Sequence, residues 1–96
     1  MLFVVTAMDM MGALALRMAT REAHLAYLRE TGAVKLAGPF LNDKGEPVGS
    51  ALIIEAAHLD AAKAWAAADP YARAGLFLSC DVRRWNPTIN LCEAKL

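Results

Sequence analysis

The stretch from Ala33 to Ala56 constrains this chain more than any other. Two apolar runs rich in β-forming residues, Ala33 to Phe40 and Val48 to Ala56, flank the segment Asn42-Asp43-Lys44-Gly45-Glu46-Pro47. Asn, Asp, Gly and Pro each favour the backbone reversal of a turn, so the sequence predicts a hairpin here. Leu2 to Ala7 is a further apolar run and reads as the first strand. Met8 to Ala19 mixes methionine, glycine and alanine and reads as a loop with room for a helical turn. Thr20 suits the N-cap of a helix running to Glu30, and Thr31-Gly32 supplies its stop. Beyond the hairpin, Asp60 suits the cap of a second helix, Ala61 to Ala68, which Asp69-Pro70 ends or bends. Tyr71 to Gly75 fits one more turn, Leu76 to Trp85 a fourth strand, and Asn86 to Leu96 a tail without an assigned element.

The order is βαββαβ. Right-handed connections around a central hairpin give a ferredoxin-like α+β domain: an antiparallel sheet with two helices on one face, in a single domain over residues 1–96. Alternation along the last strand puts Leu76, Leu78, Cys80 and Val82 on one face and Phe77, Ser79, Asp81 and Trp85 on the other. The first strand is apolar on both faces. One helical layer leaves one sheet face uncovered, and an apolar face of that size predicts a partner, here a homodimer with sheets packed face to face.

Composition narrows the function classes. The 96 residues are 57% hydrophobic and 21% charged, the profile of a compact domain rather than a disordered one. Ten basic and ten acidic residues cancel, and Arg83-Arg84 is too short for a basic patch, so no nucleic-acid partner is expected. No apolar run approaches the ~20 residues of a membrane span, and no basic region precedes the N-terminal apolar run, so the expected location is the cytoplasm. Cys80 and Cys92 fit neither a disulfide scaffold nor a Cys-x-x-Cys site, and no cluster has metal-ligand spacing.

Few residues can carry chemistry. His24 shares a helical face with Arg21, Tyr27 and Leu28, at the edge of the apolar stripe. It is either a boundary histidine held by a neighbour or a general acid–base. Asp69 before Pro70 is either turn chemistry or a carboxylate that fixes the tautomer of a histidine on the other helix. Ser50 follows Gly49, where a missing side chain permits close approach of a ligand or another backbone. Without a Gly-x-Ser-x-Gly elbow, Ser50 is not expected as a nucleophile. Arg21 could hold a substrate carboxylate. His58 reads as a surface residue, Cys80 as core, and Tyr27, Tyr71 and Trp65 as packing residues. Met8, Met10 and Met11 could line a pocket or fill irregular core space.

These residues also line up with a known family. The chain resembles the YCII-related (YciI-like) proteins in Met1-Leu2-Phe3-Val4-Val5, in Arg21-Glu22-Ala23-His24-Leu25 followed by Gly32, and in Ala37-Gly38-Pro39 and Gly49-Ser50. The densest likeness runs from Leu59 to Gly75, with Ala64-Trp65-Ala66, Ala68-Asp69-Pro70-Tyr71 and Ala74-Gly75. Glu22 departs from the proline that relatives often carry at the helix start, and the Asn42–Pro47 turn is short beside some of them. The resemblance implies a dimeric α+β barrel and a functional histidine and aspartate, which fall on His24 and Asp69. Some relatives are dehydrochlorinases in the breakdown of chlorinated aromatic ring-cleavage products, and the dimeric fold also resembles muconolactone isomerases.

The resulting expectation is a lyase or isomerase that needs no cofactor and acts on a small, carboxylated or otherwise anionic molecule. His24 would be the acid–base and Asp69 its orienting partner, with Arg21, Ser50, Gly38, Pro39 and Tyr71 around the substrate. The alternative is a non-catalytic dimeric module that binds a small molecule or another protein.

Overall fold

The computed structural model describes residues Met1–Leu96. Its elements follow the order β1 (Leu2–Asp9), α1 (Leu14–Thr31), β2 (Val34–Leu41), β3 (Pro47–Glu55), α2 (Leu59–Ala68), α3 (Pro70–Arg73) and β4 (Phe77–Arg84). The strands form one antiparallel sheet in the order β2-β3-β1-β4, the ferredoxin-like topology expected from the sequence. Residues 86–96 hold no helix or strand. No helix is long and apolar enough to cross a membrane.

Period-two alternation decides which residues meet the helices. Phe3 and Val5 of β1 pair across the sheet with Ile54 and Leu52 of β3. These four pack against Ala62 and Ala66 of α2 as the buried core. Positions four apart on a helix share a face, and two alanines there let α2 lie close on the sheet. The opposite face carries Val4, Leu36, Phe40, Ala51, Ile53 and Trp85, which line a broad, shallow apolar depression. Pro39 is tolerated in β2 because that strand is an edge and needs no donor on its outer side. Gly49 is a packing requirement. A Cβ there would lie 2.5 Å from the Ala7 carbonyl oxygen and 3.1 Å from both Met8 Sδ and Phe40 Cδ2.

Five expectations are corrected. Met8 to Ala19 is not a loop: β1 continues to Asp9, and α1 begins at Leu14, six residues before Thr20. Thr20 does not cap the helix; its hydroxyl donates to the Leu16 carbonyl one turn back. Asp60 is not the cap of α2 either. His58 caps it, its Nδ1 accepting from the Ala61 amide at 3.1 Å. Finally, a register shift between Met8 and Asp9 breaks the simple alternation of β4. Phe77 therefore reaches Tyr71 edge to face, with ring centres 6.1 Å apart, instead of lining the open sheet face with Trp85. Cys80 pairs opposite buried Ala7 but stays exposed rather than in the core, because β4 is the other edge strand.

Candidate active site

Starting α1 at Leu14 places Arg17, Arg21 and His24 on one helical stripe, at spacings of four and three residues. Arg17 and His24 are buried, whereas Arg21 is exposed. Opposite this stripe stands the junction of α2 and α3. Asp69 terminates α2 and caps α3, its Oδ1 accepting the Tyr71 amide at 2.9 Å. The same oxygen lies 2.7 Å from His24 Nδ1. The two readings of Asp69, turn residue and histidine partner, are one structure: the cap aims the carboxylate and the histidine uses it.

This geometry assigns the tautomer. A carboxylate that already accepts an amide N–H is an acceptor, so His24 carries its proton on Nδ1 and donates it to Asp69. The lone pair is left on Nε2. That atom has no protein partner, and no buried side-chain nitrogen or oxygen in the structure is unpartnered, so Nε2 is accessible. The imidazole lies flat on the Tyr71 ring, with centres 3.9 Å apart and planes 13° from parallel. Burial raises the Tyr71 hydroxyl above the ordinary tyrosine value. Arg17 and Arg21 pull it down, and Asp69 and Asp9 push it up. The hydroxyl is thus neutral and able to donate near pH 7.

Two further members of the cluster were missed in the sequence. Arg17 Nη1 donates to both carboxylate oxygens of Asp9, at 3.1 and 2.9 Å, and Nη2 donates to Ser50 Oγ at 2.9 Å. Its guanidinium carbon also stands 4.8 Å from the Tyr71 ring centre, within cation–π range. Extending the His24–Arg21 stripe back one turn would have found Arg17. The Met- and Gly-rich segment before it and the cap-like Thr20 concealed the helix start.

A cavity of about 260 Å³ lies between α1 and the β2–β3 hairpin. His24, Arg21, Ser50, Gly38, Pro39 and Tyr71 all line it, together with Arg17 and an apolar wall that includes Leu28 and Leu52. Asp69 sits behind His24 and does not line it. Arg21 makes no ion pair or side-chain hydrogen bond, whereas Arg17 is neutralised by Asp9. Tyr27 and Trp65 do pack together: their rings are 5.3 Å apart, the Tyr27 hydroxyl donates to the Trp65 carbonyl, and Trp65 Nε1 donates to Thr31. His58 is exposed at its helix cap, and Met8, Met10 and Met11 border a separate cleft with Asn42 and Glu46. No group of three or more His, Cys, Asp or Glu side chains converges to hold a metal ion.

Comparison with known proteins gives consistent likenesses. The model of the YCII-related domain matches residues 1–86. Protein YciI from Escherichia coli O6:H1 is 40% identical over 92 aligned residues, covering 86% of this chain and 94% of that protein, and Protein YciI from Shigella flexneri matches to the same extent. Among solved structures, the chain is similar to 5-chloro-2-hydroxyhydroquinone dehydrochlorinase (TftG) from Burkholderia phenoliruptrix AC1100, in complex with 2,5-dihydroxybenzoquinone. The TM-score is 0.81 and the identity 36%, covering 90% of this chain and 94% of that one. An antibiotic biosynthesis monooxygenase shares the fold alone, with a TM-score of 0.54 at 14% identity over 91% of this chain and 100% of that one.

Proposed function

The chain belongs to the YCII-related family, and on that footing we propose that it is a lyase or isomerase moving a proton on a small anionic molecule, with no resident cofactor. The observation that carries this reading is the His24 imidazole, held on Nδ1 by buried Asp69 and accessible at Nε2 beside the cavity. As general base, Nε2 takes a proton from a carbon or hydroxyl conjugated to a carbonyl. The electron pair left behind forms a new double bond and, in an elimination, expels a leaving group such as chloride. In an isomerisation the imidazolium returns the proton to a different atom. Asp69 stabilises the imidazolium while it exists. Arg21, the cavity cation without a protein anion, would meet a substrate carboxylate or oxyanion. Gly38 and Pro39 would form one wall, with Tyr71 and Ser50 offering hydroxyls. Likeness to a dehydrochlorinase over nine-tenths of the chain favours elimination.

Chloride release from 5-chloro-2-hydroxyhydroquinone tests this directly. Turnover should fall by about 10²–10⁴ in His24→Ala, the usual contribution of general acid–base catalysis. Full turnover in that variant would remove the proposal. Tight retention of 2,5-dihydroxybenzoquinone with no chemistry on any chlorinated or lactone substrate would favour the binding module.

We also propose that a second copy of this chain covers the open sheet face. Val4, Leu36, Phe40, Ile53 and Trp85 make the face apolar. Asp81 and Arg83 pair across β4 with Thr6 and Val4 and so share that face, where a two-fold partner can match them in opposite sense. Ile53→Glu should convert a dimer into a monomer in sedimentation velocity. A wild-type monomer at micromolar concentration would exclude the pairing.

A further inference from the structure

We propose that Arg17, clamped by Asp9, is a positioning residue that makes the Ser50 hydroxyl a hydrogen-bond donor for a substrate oxygen. The inference rests on the reading of the adjoining cavity as the substrate site. A guanidinium has donors only. Because Nη2 donates to Ser50 Oγ at 2.9 Å, that oxygen accepts, and its own proton has to point elsewhere. No protein acceptor takes it, and Ser50 lines the cavity. The hydroxyl therefore offers its proton to whatever occupies that space. Accepting from a cation polarises the O–H bond and strengthens it as a donor. Asp9 holds Nη1 with both carboxylate oxygens, which favours the orientation of the planar group that turns Nη2 to Ser50. Both partners of this ion pair are nearly inaccessible, with side-chain exposures of 7% for Arg17 and 5% for Asp9.

The consequence is a cavity with two poles. Nε2 of His24 is the acceptor for a moving proton, and Ser50 is a fixed donor for an oxygen that gains charge as the proton leaves. Donors arranged in advance around a developing oxyanion lower a barrier without having to reorient during the reaction. The ligand class that satisfies both poles is a conjugated molecule with an acceptor oxygen, carbonyl or phenolate, near the carbon or hydroxyl that loses its proton. A ligand without an acceptor oxygen is disfavoured.

The test uses the whole chain and 2,5-dihydroxybenzoquinone as the probe, with affinities measured by calorimetry. Ser50→Ala should weaken binding about tenfold, the worth of one hydrogen bond to a charged or polarised group. Arg17→Lys should weaken it to a similar degree, although both Ser50 and the positive charge are retained, because the ammonium lacks the planar fork whose two separate nitrogens reach Asp9 and Ser50. The double variant should bind no more weakly than the poorer single one, since both changes remove the same donor. A merely structural role for Arg17 would not produce that non-additivity. Should Arg17→Lys fail to fold, Asp9→Asn loosens the same clamp and should give the same pattern with Ser50→Ala. Wild-type affinity in the clamp variant, additive losses, or no saturable binding of the probe to the wild type would each overturn the assignment. Ser50-dependent binding in a protein that turns over no chlorinated or lactone substrate would instead keep this assignment and remove the proposed reaction.

Discussion

Replacing Asp69 by alanine removes two interactions with one side chain. Its Oδ1 caps the Tyr71 amide at 2.9 Å and accepts from His24 Nδ1 at 2.7 Å. Loss of a helix cap costs about 1 kcal/mol. Loss of a hydrogen bond to a charged group costs about 1.5–3 kcal/mol, and burial of both partners places this one in the upper part of that range. The total is about 3–4 kcal/mol, a large share of the ~5–15 kcal/mol that stabilises a domain. For a chain of 96 residues, Tm should fall by roughly 12–25 °C. Asp69→Asn keeps an oxygen for the cap and loses only the charge, so it should cost about half as much. Urea unfolding of the wild type, both variants and the Ala variant combined with His24→Ala would apportion the effect. The NMR signal of the His24 Nδ1 proton should shift in Asp69→Asn and vanish in Asp69→Ala. A loss below about 1 kcal/mol for Asp69→Ala, or an unchanged Nδ1 proton in Asp69→Asn, would refute the paired geometry.

Other consequences are independent of any substrate. Gly49→Ala drives a Cβ to 2.5 Å from the Ala7 carbonyl oxygen, so β1 and β3 must part; chemical denaturation should show a loss of about 1–3 kcal/mol. Gly32 closes α1 at φ 64°, and Gly32→Ala should cost about 1 kcal/mol in the same assay. Although Cys80 is exposed, partial shielding from water by its surroundings raises the thiol above its ordinary 9.0, and Asp81 and Asp69 raise it further, so at pH 8 Cys80 should alkylate more slowly than a free cysteine in an unstructured peptide. Tyr71 is likewise raised above 10.0, chiefly by burial. For both groups the folded chain holds the proton more tightly than the unfolded chain. Their neutral forms therefore favour folding fully below pH 9, and that contribution is lost as pH rises through the raised values. Urea midpoints measured from pH 8 to 11 should fall accordingly, and Tyr71→Phe should flatten the upper part of the decline.

Much of the architecture was written locally. The turn residues from Asn42 to Pro47 do join two strands, Gly32 does end the first helix, and Asp69-Pro70 does separate the second from a short third. These signals survive because each depends on the allowed backbone angles of one or two residues. The start of α1 was not legible in that way. Its N-cap, Ala13, makes no side-chain cap bond, and a mixed Met/Gly/Ala segment precedes it. Packing and the Arg17 bonds to Asp9, at the end of the preceding strand, and to Ser50, in β3, hold that first turn, and both are side-chain contacts that no local pattern announces.

The same division runs through the candidate site. The residues of the His24–Asp69 pair were identifiable in the sequence, along with Arg21, Ser50, Gly38, Pro39 and Tyr71 around the cavity, partly through family resemblance. Their pairing was expected only through the resemblance and the reading of Asp69 as a partner for a histidine on the other helix; the contact itself spans 45 positions and takes shape only in the folded chain. Arg17 and Asp9 carried no local signal at all. An arginine in an ambiguous segment reads as solvated until the sheet register brings Ser50 opposite Ala7 and the helix docks over both. Sequence by itself determined the order of elements and the residue types available for proton transfer. Only the tertiary structure decided which nitrogen of His24 is left open and which oxygen Arg17 holds, because both depend on burial and on hydrogen bonds between side chains far apart in the chain.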